Sequence, residues 1–368
     1  MGRPVCSGQG SCDGVHETTM LIQRRVVKRR ARAAAFAAAG LALLAYAVWP
    51  WTPLAGQARR PRTIVFYGFS ILGDVINHGV FPAFQKEWRA RTGENVEIVS
   101  SFAGSGTITN QIILGVPAHL ALVSLELDAD KLAGAGVLAS GSWRRLPFEG
   151  IVNRTPFIIL VRPGNPKGIR DFEDLARPGV RIVHPDPLTS GGANWAIVAE
   201  YGSGARRGPD PARSGHDLLL GIWKNVVAQA ASARAARTQF ENGFGDALIT
   251  YEQEAIFDRS RGRLKADVVY PRSTVLSEHT LVRIDRNIAR READLVDAFA
   301  RFLFTEEAQR VFVRYGFRSV TESLNEANPA FGRIEDPFRI GDLGGWKRAK
   351  TEIVDSVWKR QVLAELKK

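Results

Sequence analysis

Leu188-Thr189-Ser190-Gly191-Gly192-Ala193-Asn194-Trp195-Ala196 decides the fold. It follows the apolar run Val180-Arg181-Ile182-Val183 and the turn His184-Pro185-Asp186-Pro187, and it opens a helical run to Glu200. The pattern is strand, tight turn, then Thr-Ser-Gly-Gly at a helix start. The first amides of a helix have no intrahelical acceptor, and glycine lets a ligand come close to them. The helix dipole adds partial positive charge at the same point, so such a start suits an anion. An ordinary Ser N-cap has the same sequence.

A second turn of this kind lies upstream. Ser101-Phe102-Ala103-Gly104-Ser105-Gly106-Thr107 follows the strand-like Val96-Glu97-Ile98-Val99 and opens the run Ile108–Leu114. It is not a phosphate-binding P-loop, which needs Lys-Ser or Lys-Thr after its last glycine; here Gly106 precedes Thr107-Ile108. Neither turn has an adjacent basic residue. Two uncharged cradles point to a fully ionised oxyanion held by neutral donors.

Between these turns, strands alternate with helices, which predicts βαβ units and parallel sheets. Ile64–Tyr67 reads as the first strand, Asp74–Arg91 as an amphipathic helical region that Pro82 kinks or starts, and Leu120–Val123 as a third strand before a helix over 128–135. The segment 202–215, rich in Gly, Arg, Pro and Asp, is expected to be an exposed loop before a helix over 217–226.

The chain resembles the periplasmic sulfate- and thiosulfate-binding proteins that serve ABC importers. The resemblance runs from Thr63 to Leu363. Its carriers are Gly104-Ser105-Gly106, the stretches 157–167 and 189–195, Gly245-Asp246-Ala247-Leu248-Ile249-Thr250-Tyr251-Glu252-Gln253-Glu254-Ala255, and Gly344-Gly345-Trp346. It implies an α/β chain with the type II periplasmic binding-protein fold, two lobes with a ligand cleft between them. One lobe would comprise residues 59–155 and 275–368, the other 156–274. In such sheets ligands lie beyond the strand C-termini.

The resemblance also implies site residues: Ser105 in the first lobe, Ser190, Gly191 and Gly192 at the second lobe's helix start, and the amide of Ala233. The family has Gly-Ala-Arg-Gly around that alanine, and this chain has Ser232-Ala233-Arg234-Ala235. Tyr251 stands where the family has a tryptophan whose indole donates to the ligand; its phenol either takes over that role or only packs. The family's Tyr-Asp-Pro-Thr-Arg-Glu becomes Tyr67-Gly68-Phe69-Ser70-Ile71-Leu72. There Ser70 either supplies a hydroxyl to the site or caps a helix. Neither cradle contains Asp or Glu. A carboxylate would serve a protonated phosphate and repel a proton-free dianion, so sulfate, thiosulfate, molybdate or tungstate is favoured over phosphate. Asp246 and Glu252 read as structural.

The N-terminal 58 residues hold the basic run Arg24–Arg32 and an uncharged, mostly apolar stretch over 33–50. Together these read as a signal peptide cleaved after Ala58 or a retained inner-membrane anchor, with the true start possible at Met20. Both cysteines, Cys6 and Cys12, fall in this part, so no disulfide is expected in the exported domain. The net charge is +12, but without residues 1–58 the balance is 43 basic against 36 acidic residues. That excess helps gather anions and does not indicate nucleic-acid binding. Six scattered histidines show no metal spacing, and His184 has no serine partner in a nucleophile elbow. The expectation is an exported, monomeric binding protein without cofactor or metal, delivering a sulfate-like anion to an ABC permease. A membrane-anchored anion sensor is the alternative, and no enzymatic role is expected.

Overall fold

The computed structural model describes residues 29–30, 34–48 and 61–367. The cysteines, Met20, the junction after Ala58 and most of the basic run lie outside the described residues. Residues 34–48 are helical, and among the described residues no helix is long and apolar enough to cross a membrane.

From Pro61 onward the chain forms one compact unit. Its first half contains β1 (Arg62–Phe69), α1 (Phe81–Thr92), β2 (Val96–Ala103), α2 (Ser105–Ile113), β3 (Leu120–Val123), α3 (Glu126–Gly134), β4 (Ile151–Val161), β5 (Ile182–Pro185) and α4 (Gly191–Ala205). Then come α5 (Pro211–Lys224), β6 (Val226–Ala230), α6 (Ala233–Glu241), β7 (Ala247–Tyr251), α7 (Glu252–Ser260), β8 (Asp267–Val269) and β9 (Ser273–Arg283). The unit ends with α8 (Ala293–Phe302), α9 (Glu306–Arg314), β10 (Arg318–Ser319), β11 (Asp336–Phe338) and further short helices.

The strand order is β2-β1-β3-β9-β4-β7-β5-β6. β1 is parallel to β2 and β3, and β5 is parallel to β6 and β7. The two parallel groups are joined by the long antiparallel pair β4 and β9. β4 pairs with β9 over Ile151–Pro156 and with β7 over Phe157–Val161, so one strand passes from the first group to the second. β9 returns, pairing with β3 over Thr280–Arg283. These are the two crossings of the two-lobed type II fold. β3 and β5 are buried along their whole length, as parallel strands covered on both faces are.

The core between β1, α1 and α8 is aromatic. The Phe299 ring lies 5.4 Å from Phe81, 4.9 Å from Phe84 and 5.9 Å from Phe66. The helical region predicted over 74–91 is broken by a π turn at Ile76–Val80, and Pro82 starts the regular helix, where its missing N–H costs nothing.

Segment 202–215 differs from its expectation. Gly202, Ser203 and Gly204 are buried in the last turns of α4, and α5 begins at Pro211 with Asp210 accepting from the Arg213 amide at 3.2 Å. The glycines serve packing. A β-carbon at Gly202 would lie 2.4 Å from the Phe338 ring, and one at Gly204 2.6 Å from the Ser214 carbonyl. Residues 346–358, grouped by sequence with the first lobe, lay their indoles on α4 and α5. Trp346 meets Trp195 at 4.4 Å and Trp358 meets Trp223 at 5.0 Å.

Candidate functional site

Three helix N-termini converge on one small cavity. α2 starts at Ser105 after β2, α4 starts at Gly191 after the β5 turn, and α6 starts at Ala233 after β6. Each follows a parallel strand, so each start lies beyond a strand C-terminus. The helix starts meet at a tight, closed pocket lined by ten residues, none of them charged.

All seven residues singled out from the sequence line this cavity: Ser70, Ser105, Ser190, Gly191, Gly192, Ala233 and Tyr251. The structure adds Phe69, Gly104 and Ser124. Ser124 directly follows β3, and the rule that ligands lie beyond strand ends, applied to that strand, points to it.

The two turns touch at the cavity rim. The Gly106 amide donates to the Thr189 carbonyl at 3.2 Å. Gly104 approaches so closely that a β-carbon there would lie 2.4 Å from the Thr189 carbonyl oxygen and 2.7 Å from that of Ala231. Only glycine fits such a contact.

The donors are set as follows. Ser105 Oγ donates to Asp128 Oδ2 at 2.5 Å and accepts from the Ser124 amide at 2.8 Å. Its hydroxyl is thereby committed, and the Ser105 amide remains at the helix start. The Ser190 amide donates to the Asp186 carbonyl at 2.8 Å, while its hydroxyl makes no capping bond. Gly191 and Gly192 are the first two residues of α4, and Ala233 is the first of α6, so their amides have no intrahelical acceptor. Ser232 caps α6, accepting from the Ala235 amide at 3.1 Å. Ser70 does not cap the turn it begins; its oxygen accepts at 3.5 Å from the amide of Arg234, the second residue of α6.

Tyr251 both packs and faces the cavity. Its ring lies 4.6 Å from Phe157 and 6.0 Å from Phe69, and its hydroxyl is 2.9 Å from Ser124 Oγ. Burial pushes the phenol above its ordinary pKa, so it stays neutral. Beneath Phe69, at 4.5 Å, lies the His279 ring, whose pKa burial lowers to about 3. Both rings therefore present uncharged surfaces.

Charge is kept just outside the lining. Asp128 is buried behind Ser105, and burial raises its pKa to about 6 despite the Ser105 hydrogen bond. Arg234, next to Ala233, is balanced by Glu254 at 2.8 Å and by Asp74 at 3.2 Å. Its Nε–H is close to the Glu254 carboxylate without being aimed at it. Asp246 pairs with Arg181, and Glu252 with Arg318, away from the cavity lining. Among the described residues no cluster of His, Cys, Asp and Glu could hold a metal.

The arrangement can bind a small anion through neutral donors at converging helix starts. The model for bacterial extracellular solute-binding proteins matches residues 78–318. A sulfate-binding protein of Synechococcus elongatus is 34% identical over 283 residues, covering 76% of this chain and 80% of that protein. A thiosulfate-binding protein of Pseudomonas aeruginosa is 30% identical, covering 89% of this chain and 96% of its own. The solved structure of the sulfate-binding protein SubI from Mycobacterium tuberculosis superposes with a TM-score of 0.72 at 29% identity, covering 79% of this chain and 99% of that one. The chain belongs to the bacterial extracellular solute-binding proteins.

Proposed function

We propose, with that membership as premise, that the chain captures sulfate or thiosulfate in the cavity between its lobes and delivers it to the permease of an ABC importer. The observation that carries the reading is the convergence of three helix N-termini on an uncharged lining. The amides of Ser105, Gly191, Gly192 and Ala233, with the hydroxyls of Ser190 and Tyr251, would hold the anion, and Ser70 would brace the rim. No charged side chain lines the cavity, so the dianion would be neutralised by helix dipoles and hydrogen bonds alone.

One lobe would comprise 61–155 and 275–338, the other 156–274, with the indoles of 346–358 fastening the chain end onto the second. The protein would act as a monomer in the periplasm, held at the inner membrane where the N-terminal segment is not cleaved. Titration of the purified protein with sulfate, thiosulfate, molybdate and tungstate tests the reading. Sulfate or thiosulfate should bind most tightly and raise the melting temperature at millimolar concentration. If none of the four binds, the proposed function is wrong.

A further inference from the structure

Ser124 and Tyr251 place two hydroxyl oxygens side by side at one corner of the cavity. Their oxygens are 2.9 Å apart, and either can donate to the other. Both face the start of α4. A β-carbon at Gly191 would lie 2.9 Å from Ser124 Oγ, and one at Gly192 would lie 3.0 Å from Tyr251 Oη. Ser124 is fixed through its backbone, its amide donating to Ser105 Oγ at 2.8 Å and its carbonyl accepting from Trp195 Nε1 at 2.7 Å. Among the described residues neither hydroxyl has a second hydrogen-bond partner.

A hydroxyl carries one proton and two lone pairs. With one proton shared between them, the pair always offers one donor and one acceptor. If Ser124 donates to Tyr251, the phenol proton is free and the Ser124 oxygen accepts. If Tyr251 donates, the roles exchange. The amides at the helix starts can only donate, and so could an indole at position 251. Of the other hydroxyls, that of Ser70 accepts from the Arg234 amide at 3.5 Å, and that of Ser190, which makes no capping bond, is assigned to donate to the anion, so the Ser124–Tyr251 pair is the one place where a donor and an acceptor are always offered together.

We infer that the Ser124–Tyr251 pair fits this cavity to a tetrahedral oxyanion that keeps one proton, of the hydrogenphosphate class, as well as to a proton-free dianion. The inference rests on the oxyanion-site reading and extends its ligand class. Sequence alone disfavoured phosphate because neither cradle holds a carboxylate. The hydroxyl pair supplies the missing acceptor without adding negative charge, and burial keeps the phenol neutral. In a donor-only site the anion's O–H would be buried unpaired, and sites left with such unpaired groups discriminate by about 10,000-fold or more.

The test is calorimetric titration of the protein with sulfate and with inorganic phosphate at about pH 8, where both are dianions and differ by one proton. Phosphate should bind within about a hundredfold of sulfate. The double variant Ser124→Ala with Tyr251→Trp leaves only an indole donor at this corner. Ser124→Ala with Tyr251→Phe removes both hydroxyls without enlarging the ring, in case the indole prevents folding. In either folded variant the sulfate-to-phosphate affinity ratio should rise at least about tenfold. Wild-type discrimination beyond a hundredfold, or a ratio unmoved in the folded variants, overturns the inference while leaving sulfate binding intact. Phosphate binding without sulfate binding overturns the sulfate reading and upholds the pair. Binding of neither anion overturns both.

Discussion

Ser105 and Ser190 each stand beside glycine at a helix start, facing one another across the cavity, yet their groups are committed in opposite ways. In the first turn the hydroxyl is tied down, donating to Asp128 and accepting from the Ser124 amide, and the amide is left over. In the second the amide donates to the Asp186 carbonyl and the hydroxyl is left over. What stands behind each turn decides this. Behind Ser105 is a buried carboxylate on α3; behind Ser190 is a proline-flanked turn with a carbonyl to satisfy. Similar small-residue turns are therefore not equivalent donors.

The largest expected effect is at the second turn. Gly191→Asp places a β-carbon 2.7 Å from that of Ser124 and adds a negative charge beside the anion. Sulfate affinity should fall by three orders of magnitude or more, about 4 kcal/mol, as for an unpaired buried charge. Calorimetry measures it, and near-normal affinity would place the ligand elsewhere. At the first turn, Gly104→Ala should weaken sulfate less, by tens of fold. Its added methyl meets the carbonyls of Thr189 and Ala231 and keeps the two turns apart without touching the anion.

The serines themselves sharpen the contrast. Ser190→Ala should weaken sulfate by about 1.5–3 kcal/mol, the range for a hydrogen bond to a charged group, with little change in unliganded melting temperature. Ser105→Ala should do the reverse. It strips Asp128 and the Ser124 amide of a partner, costing about 1–3 kcal/mol of stability, while its own amide still faces the site. Thermal unfolding with and without sulfate separates the two. If Ser105→Ala loses binding and keeps stability, the two turns are equivalent after all.

Tyr251→Phe should cost sulfate about 1.5 kcal/mol, the low end of the range for a hydrogen bond to a charged group because the phenol is shared with Ser124, and little stability, because the ring contacts with Phe157 and Phe69 remain. Unchanged affinity would reduce Tyr251 to a packing residue.

Much of this was legible in the sequence, for a physical reason. A strand that feeds small hydroxylated residues into a helix start is a local pattern, so the turns holding Ser105, Ser190, Gly191 and Gly192 could be named without coordinates, while Ala233 was reached only through the family resemblance. Non-local contacts could not. Asp128 lies 23 residues from Ser105, and nothing near it signals a carboxylate behind the cradle. Ser124 follows a strand end, but its hydroxyl is paired with that of Tyr251, 127 residues away, which no local pattern shows. The glycines of 202–215 have a loop-like composition, but they thin two helices so that these can touch Phe338 and each other. Composition records the missing side chain and not which neighbour needs the space.

Asp128 gives the smallest effect, and one that belongs to the first turn alone. Burial raises its pKa to about 6, above that of the unfolded chain, so the folded protein holds a proton there that the unfolded chain releases. The associated stability is fully present below about pH 4 and is lost as pH rises through about 6. A dianion at the Ser105 amide adds negative charge near the same carboxyl and favours its protonated form further. Binding should then take up part of a proton, and sulfate affinity should rise a few-fold between about pH 7.5 and pH 5. Asp128→Asn keeps an oxygen for the Ser105 hydroxyl and cannot titrate, so it should flatten the dependence. Ser190→Ala, with no carboxylate behind it, should bind more weakly at every pH with the same slope. A wild-type affinity that is flat across this range, or a slope that survives Asp128→Asn, would mean that the carboxyl behind Ser105 does not sense the anion and that the first turn is electrostatically as neutral as the second.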